Sequence, residues 1–374
     1  MSILNSSVGV DIGSTGVRAV QVKNARGKIQ IIKAGEISLS RGVVEAGEVK
    51  DIEALTDSVV ALWRKEKFTS KIVTVGMTGN KTMIKQVDLP WEPENVFREA
   101  LPLRIGEELM ADAEEMTLDF YPLAEIRRGN NLIQRAMIVG AVNSAVENSV
   151  EALTKAQLKV KGADFAPFAL IRAATFTVGN GRDVPFPQTD DEERDCEVII
   201  DIGAQITIVA IHDHGRPLFV RVVPSGSDAV TRAIAGKIEC SLEVAEAVKK
   251  VLGIPGVAGL TPEIIKIAST LPKESVPLAQ KVITLMVNPL VQIARESIDY
   301  FLTQSPHITG VSRILLSGGG ALLPTYSDRI KSETKAPVGL LVPLNTFAIG
   351  DAEKRKILDP RMNIAFGLAM GAKE

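Results

Sequence analysis

The sequence predicts an α/β protein with two lobes and a smaller α+β subdomain inserted in the first lobe. Three observations lead to this prediction. The chain has 374 residues, which is too long for one ordinary hydrophobic core. An apolar strand that ends in Asp-Ile-Gly occurs once in each half, at residues 8–13 and 199–203. Between these copies, residues 82–156 show a different order of predicted strands and helices, which indicates a separate α+β subdomain.

The composition argues against several classes of function. Apolar residues make up 45% of the chain and charged residues 24%, which is typical of a globular protein. The net charge of −2 and the aromatic content of 4% give no basis for binding nucleic acid. Cys196 and Cys240 are isolated, so neither a CxxC metal site nor a disulfide framework is expected.

The chain shows no sign of a targeting or membrane segment. Residues 1–7 lack the basic start and apolar run of a signal peptide. We find no uninterrupted apolar stretch of about 20 residues, the length that spans a bilayer. We therefore expect a cytoplasmic protein without direct membrane insertion, so any work at a membrane would depend on a partner protein.

The first lobe is assigned to residues 1–178. Three strands are predicted at 8–12, 16–23 and 28–34, with turn residues at 24–27. A helix at 51–65 and a strand at 72–77 follow. The inserted subdomain, about 82–156, has strands at 82–87, 116–122 and 134–142, a helix at 94–110 interrupted by Pro102, and a helix at 143–156 capped by Asn143 or Ser144. A strand at 159–164 and a helix at 166–176 complete the lobe.

An exposed interlobe loop is predicted at 179–195, because the segment is rich in Gly, Pro and charged residues and has no apolar period. The second lobe, 196–374, repeats the three-strand start at 198–202, 206–212 and 216–223. Helices are predicted at 227–238 and 241–252, a break at 253–259 and a long helix at 276–304. A strand at 313–316, a glycine turn, a helix at 323–334, a strand at 338–342 and a helix at 363–371 end the chain.

The two Asp-Ile-Gly hairpins predict a phosphate site. Asp11 and Asp201 each end a buried strand, where a carboxylate can hold Mg²⁺ through water. The glycines after them let the chain turn sharply and present N–H groups to phosphate oxygens. The first loop offers the backbone of Gly13 and the polar side chains of Ser14, Thr15 and Arg18. The second offers the backbone of Gly203 and the polar side chains of Gln205 and Thr207. The alternative is a pair of tight turns in a duplicated fold that binds no ligand.

Two further features favour a nucleotide. Gly318, Gly319 and Gly320 follow an apolar strand and permit close approach of a flat base or sugar. Glu246 and Lys249 lie three residues apart on one face of a predicted helix, where they could contact ribose and adenine. On spacing alone, a surface ion pair is an equal alternative for these two residues.

These motifs resemble the nucleotide cradle of the actin, hexokinase and DnaK-like ATPase superfamily. The resembling segments are 11–15 and 201–204, as phosphate loops one and two, and 317–320, as the adenosine motif. The resemblance implies an actin-like ATPase fold with two RNase H-like lobes. It adds Ala204 and Gly226 to the nucleotide site, and it implies that a helical subdomain at about 226–290 contacts the nucleotide.

Within the superfamily, nearly the whole chain resembles the PilM family of type IV pilus assembly proteins. The more specific segments are 87–90, 100–103 and 118–121 in the insertion, 160–174, 221–231 and 295–300. Arg18 stands where the family has Lys, and nucleotide binding is expected to survive this change. Residues 100–103 are more apolar than the family's acidic run, so a different partner preference is expected.

The resemblance implies a cytoplasmic adaptor that binds ATP and Mg²⁺ with little or no turnover. It implies that a groove beside the inserted subdomain takes the N-terminal cytoplasmic peptide of a PilN-like inner-membrane protein. Other pilus inner-membrane complex proteins would be further partners, and together they would hold the chain at the inner face of the cytoplasmic membrane.

Two alternatives stay open. An FtsA- or MreB-like filament ATPase is disfavoured because the last helix, 363–371, has the pattern of a core helix and not of a membrane helix. A small-molecule kinase is disfavoured because no further Asp stands in a recognisable catalytic-base motif and the three histidines are scattered.

Overall fold

A computed structural model describes residues 6–25, 28–109, 115–175, 193–253, 262–343, 353 and 356–371. Its strands are β1 (Ser6–Gly13), β2 (Gly16–Ala25), β3 (Lys28–Ser38), β4 (Val44–Glu45), β5 (Glu48–Val49), β6 (Ile72–Met77), β7 (Thr82–Pro90), β8 (Met116–Arg128), β9 (Asn131–Val142), β10 (Lys159–Phe165), β11 (Arg194–Ile202), β12 (Thr207–Asp213), β13 (Arg216–Val223), β14 (Ile308–Ser317) and β15 (Val338–Leu340). Its helices are α1 (Ile52–Glu66), α2 (Glu94–Leu109), α3 (Asn143–Lys155), α4 (Ala166–Ala174), α5 (Asp228–Ile238), α6 (Leu242–Gly253), α7 (Pro262–Ala268), α8 (Val276–Gln304), α9 (Pro324–Thr334) and α10 (Asn363–Gly371).

The two lobes contain sheets of the same topology. The order is β3-β2-β1-β6-β10 in the first lobe and β13-β12-β11-β14-β15 in the second. In each sheet the first three strands form antiparallel hairpins and the other two run parallel to the first strand. The duplication inferred from the Asp-Ile-Gly hairpins is therefore confirmed at the level of whole sheets.

Helices α4 and α10 lie between the two sheets and share one apolar core with both of them. Small residues let these elements approach closely. A Cβ atom on Gly367 of α10 would lie 1.8 Å from the carbonyl oxygen of Ala169 in α4. A Cβ atom on Gly9 of β1 would lie 2.0 Å from the carbonyl oxygen of Ala365. The contact between the lobes is thus a contact of backbone on backbone.

The inserted subdomain contains a three-stranded sheet, β7-β9-β8, covered on one face by α2. Phe97, Leu101 and Ile105 of α2 pack on this sheet. The predicted interruption at Pro102 is wrong, because α2 continues through it. Pro102 removes one N–H donor on the exposed side of the helix, while the buried residues around it hold the helix on the sheet.

Helix α3, which we predicted within the insertion, packs on α1 and places Ala145, Ala152 and Leu153 in the core of the first lobe. The predicted cap of this helix is wrong. Val142 occupies the N-cap without a side-chain hydrogen bond. Asn143 Oδ1 instead accepts a hydrogen bond of 2.9 Å from Thr117 Oγ1, which lies at the start of β8.

The second lobe has a second apolar core formed by α5, α6 and the first half of α8. Among the described residues, α8 is the one helix whose length and composition would also allow it to cross a membrane. Here its second half packs on the lobe-two sheet through residues such as Val287, Val291 and Ile298. Its role in this fold is that of a core helix, and the absence of direct membrane insertion stays a prediction.

Several boundaries differ from those predicted. Strand β11 begins at Arg194, inside the predicted loop, because it pairs in parallel with β14 from Ile308 onward. Helix α7 and the hairpin β4–β5 were not predicted, since both are too short for a periodic pattern. Most of the predicted loop at 179–195, the break at 253–259 and the turn at Gly27 lie outside the described residues. Cys196 and Cys240 are both free, as expected.

Candidate nucleotide-binding site

Asp11 lies on the face of the first sheet that looks toward the second lobe. Its register partner across the β1–β2 hairpin is Arg18, whose Nη1 lies 3.7 Å from Asp11 Oδ2. Burial raises the pKa of the Asp11 carboxyl, and the Arg18 guanidinium opposes this effect. Arg18 Nε also lies 3.5 Å from Glu36 Oε2 on β3. Arg18 is therefore held between two carboxylates at the base of phosphate loop one.

The row of charges continues into the second lobe. Glu36 Oε1 lies 2.9 Å from Nη2 of Arg361, and this arginine also pairs with Asp359 at 2.6 Å. The stem of Arg361 borders Gly319, where a Cβ atom would lie 3.6 Å from Arg361 Cδ. The glycine turn of lobe two and the phosphate loop of lobe one are thus joined through Arg361, Glu36 and Arg18.

Asp201 is the second-last residue of β11 and is 6% exposed. Burial raises the pKa of its carboxyl to about 7; Ser317 partly offsets this and the nearby charge of Asp11 adds to it. Asp11 is joined through Arg18 and Glu36 to Arg361, whose stem borders Gly319. Gly318 and Gly320 pack on Ile202, the residue after Asp201. Both Asp-Ile-Gly hairpins therefore approach the same glycine turn.

Phosphate loop two packs against the first turn of α5. The N–H groups of Ser227 and Asp228 donate to the carbonyl oxygens of Gly203 and Ala204 at 2.9 and 2.8 Å. Gly226 is required here, since a Cβ atom on it would lie 2.5 Å from the Gly203 carbonyl oxygen. Gly226, which the family resemblance suggested, thus packs directly against the backbone of phosphate loop two.

The glycine turn lies directly against the end of β11. Gly318 has φ +78°, and a Cβ atom there would lie 2.5 Å from the carbonyl oxygen of Ile202. A Cβ atom on Gly320 would lie 2.3 Å from Ile202 Cγ2. Gly319, between them, is exposed. Gly318 and Gly320 are therefore needed for packing beside Asp201, while the backbone at Gly319 stays open to solvent.

Glu246 and Lys249 do not form a surface pair. Lys249 is 6% exposed, and its Nζ lies 2.7 Å from Glu246 Oε2. The ammonium also donates to Thr231 Oγ1 at 2.8 Å and to the carbonyl oxygen of Ser227 at 3.2 Å. The pair sits between α5 and α6, close to Gly226, so it borders the predicted site. Its contact with ribose and adenine stays a prediction.

Three polar residues of the loops differ in their surroundings. Ser14 is half-buried and Thr15 exposed at the tip between β1 and β2, and Arg18 Nη2 lies 3.5 Å from Thr15 Oγ1. Gln205 reaches across to the first lobe, where its Oε1 accepts a hydrogen bond of 2.7 Å from the N–H of Ala46. Gln205 thus joins phosphate loop two to the β4–β5 hairpin.

These residues fit a magnesium-bound nucleotide. Among the described residues, no group of three or more His, Cys, Asp or Glu side chains could hold a metal alone. Mg²⁺ needs no such group, because it keeps several waters and takes one or two carboxylates together with phosphate oxygens. Asp11 and Asp201 supply two carboxyl groups whose pKa values burial raises. A divalent cation would favour their ionised forms.

The sequence missed four residues near this site. Glu36 could have been found, because the β2–β3 hairpin sets Arg18 opposite it. Arg41, Ala46 and Arg361 carry no comparable signal in the sequence. Each reaches the site through contacts with residues distant in the chain, such as the 2.9 Å ion pair between Arg41 Nη2 and Asp228 Oδ1.

The two matching sheets, the buried helices between them and the converging hairpins define an actin-like ATPase fold. Solved structures agree. The PilM-PilN type IV pilus biogenesis complex superposes with a TM-score of 0.76 at 21% identity, covering 97% of each chain. Ethanolamine utilization protein EutJ from Carboxydothermus hydrogenoformans gives 0.54 at 16% identity, covering 98% of this chain and 92% of that one.

The sequence comparisons identify the family. Cell division protein FtsA of Borreliella burgdorferi is 23% identical over 385 residues, covering 98% of this chain and 90% of that protein. The family model of type IV pilus assembly protein PilM matches residues 9–373. The chain therefore belongs to the PilM family, and both the fold class and the family resemblance read from the sequence are confirmed.

Proposed function

We propose that this protein is a cytoplasmic adaptor of the type IV pilus inner-membrane assembly complex and that it binds ATP with Mg²⁺ between its lobes. The observation that carries the nucleotide part is the convergence of both Asp-Ile-Gly hairpins on the glycine turn at 318–320, the first through Arg18, Glu36 and Arg361 and the second through Ile202. Family membership supports the pilus part.

In this proposal each part of the cradle has one task. Asp11 and Asp201 hold Mg²⁺ through water, and the backbone of Gly13, Ser14 and Thr15 and of Gly203, Ala204 and Gln205 faces the phosphates. Arg18 balances the charge beside Asp11. The turn Gly318, Gly319 and Gly320 receives the nucleoside, with Glu246, Lys249 and Gly226 at its border. When bound, the metal ion and the phosphates supply the charge that offsets the two carboxylates.

The nucleotide is proposed to set the geometry of the lobes, with weak or no hydrolysis. Asp11 pairs with Arg18 at the base of phosphate loop one, and Asp201 stands at the equivalent position of phosphate loop two, so both are assigned to the metal side. A base for activating water would need to lie within hydrogen-bond reach of the attacking oxygen. Neither the motifs nor the described geometry assigns a third carboxylate to that task.

The partner is proposed to be the N-terminal cytoplasmic peptide of a PilN-like inner-membrane protein. A groove of 1220 Å³ lies between the inserted sheet and the second lobe. Its apolar walls come from residues such as Leu123 and Met137 on one side and Leu218, Phe219 and Tyr300 on the other. Arg216 Nη2 donates to the carbonyl oxygen of Leu123 and so joins the two walls. Such a groove is large enough for several side chains of an extended peptide.

Thermal shift and titration calorimetry test the nucleotide part. Mg-ATP should raise the melting temperature of the wild type by mass action, and Asp11→Asn and Asp201→Asn should each weaken binding. Glu296→Gln, a change on α8 away from the loops, is the control and should bind normally. Absence of any ATP effect on the wild type would overturn the nucleotide part.

Fluorescence anisotropy with a labelled PilN-like N-terminal peptide tests the partner. Tyr300→Ala should weaken binding, because the Tyr300 ring is 60% exposed at the groove wall. Leu285→Ala is the matched control, since Leu285 lies on the same helix α8, is 56% exposed and does not line the groove. Equal loss in both variants, or loss in neither, would argue against this groove as the peptide site.

A further inference from the structure

Two contacts join the first lobe to phosphate loop two across the mouth of the cradle. The N–H of Ala46 donates to Gln205 Oε1 at 2.7 Å. Arg41 Nη2 lies 2.9 Å from Oδ1 of Asp228, at the start of α5. The backbone N–H of Asp228 in turn donates to the carbonyl oxygen of Ala204. Both contacts therefore end on loop two or on the helical turn that supports it.

The lobe-one side of these contacts is residues 41–49, which we call the clasp segment. It is fixed to its own lobe, because Val43, Val44 and Val49 are buried in the core of the first lobe. Its tip packs against the residue that follows β6: a Cβ atom on Gly47 would lie 1.9 Å from the carbonyl oxygen of Thr78. The segment is thus a rigid arm of lobe one and not a free loop.

The tip of the clasp segment is strained. Ala46 and Gly47 form the two-residue turn between β4 and β5, with φ of +45° and +84°. Both central residues of such a turn need positive φ, which suits Gly, Asn or Asp and disfavours Ala. Strained residues persist where the surrounding structure over-determines them, and they concentrate at binding sites. Here the strained residue is the one whose N–H binds the other lobe.

We propose that the clasp segment bridges the two lobes over the phosphate side of the cradle and that its opening limits the rate of nucleotide exchange. This rests on the nucleotide-binding function proposed above. A nucleotide held between the Asp11 and Asp201 hairpins lies between the two lobes, so its departure requires them to separate. That separation breaks the contacts of Arg41 and Ala46 with the second lobe.

The test compares Arg41→Ala with Arg232→Ala. Both arginines bind the same carboxylate, since Arg232 Nε lies 2.9 Å from Asp228 Oδ2. Arg232 belongs to α5 itself, so only Arg41 crosses between the lobes. The probe is the Mg²⁺ complex of ATP labelled with N-methylanthraniloyl, displaced by excess ATP in a stopped-flow fluorimeter. Arg41→Ala should release the probe about three- to fivefold faster, the modest effect expected for a half-exposed ion pair that crosses between the lobes; Arg232→Ala should stay within about twofold of the wild type, because its ion pair lies within α5.

Amide hydrogen exchange of the nucleotide-free protein provides the second measurement. The amide of Ala46 should exchange slowly in the wild type and in Arg232→Ala, and faster in Arg41→Ala. If the probe fails to bind the wild type, the nucleotide function fails while the exchange data still report the clasp. If the probe binds but leaves Arg41→Ala at the wild-type rate, or if Ala46 exchange is unchanged, the clasp is overturned and nucleotide binding stands.

Discussion

Lys249 buries its ammonium group between α5 and α6, with Nζ 2.7 Å from Glu246 Oε2 and 2.8 Å from Thr231 Oγ1. Burial lowers the pKa of Lys249, and the Glu246 carboxylate opposes this. The lysine is therefore part of the packing of the helical subdomain as well as a neighbour of the nucleotide site.

We predict that Lys249→Met destabilises the protein by about 2–3 kcal/mol, because it leaves a partly buried carboxylate without its main partner. Urea unfolding measures the loss. Lys250→Met is the control: Lys250 is 41% exposed and lies 3.4 Å from the other oxygen of Glu246, so its removal should change stability by less than about 1 kcal/mol. Similar losses in both variants would contradict this account.

A second prediction concerns Asp201, whose folded pKa of about 7 exceeds the usual value of 3.8. The folded state then binds this proton more tightly than the unfolded state does. Stability from this group therefore falls as pH rises from about 4 to about 7 and is lowest above that range. In EDTA, Asp201→Asn should raise the free energy of unfolding by about 4 kcal/mol at pH 8 and by less than about 2 kcal/mol at pH 5. A gain that is equal at both pH values would be inconsistent with this origin.

His212 gives the opposite dependence on pH. Its ring is fully buried, and burial lowers its pKa to about 3, with Arg313 and His214 acting in the same direction. The unfolded histidine binds a proton near pH 6.5 while the folded one stays neutral, so stability is lost as pH falls from about 6.5 toward 3. His212→Gln should remove up to about 1.4 kcal/mol per pH unit of this slope. Unfolding free energies at pH 4, 5 and 6 measure it, and an unchanged slope would refute the assignment.

The glycines of α5 and loop two offer a matched pair. Gly226→Ala should destabilise by about 2 kcal/mol and weaken Mg-ATP binding, because its Cβ atom would collide with the backbone of loop two. Gly236 lies inside α5, the helix that follows Gly226, with nothing within 4 Å of a Cβ atom. Gly236→Ala should stabilise by about 0.5–1 kcal/mol with unchanged ATP affinity. Thermal unfolding and calorimetry separate the two outcomes.

Much of the fold could be read from local patterns. Helix α8 was predicted with its observed ends, Val276 and Gln304, because its apolar residues recur at helical spacing, and the helix continues through Pro289. The two hairpins that carry Asp11 and Asp201 were found because each strand and turn repeats the same short pattern. Such features depend on residues that are neighbours in the sequence.

The rest depends on contacts between distant parts of the chain. Ala46 and Gln205 are 159 positions apart, and nothing in either segment alone indicates that they meet. The same holds for Arg361, whose partner Glu36 belongs to the first hairpins. The interruption predicted at Pro102 was wrong for a related reason: the packing of α2 on the inserted sheet, which holds the helix together through Pro102, involves strands distant in the sequence.

The glycine contacts at the centre of the molecule bear on how the lobes move. Gly9 touches Ala365, and it lies two residues before Asp11 on the same strand. A methyl group at position 9 would overlap the carbonyl oxygen of Ala365, so β1 and α10 would have to move apart. Because α10 shares its core with both sheets, we expect this displacement to shift phosphate loop one relative to loop two without the methyl group touching either loop.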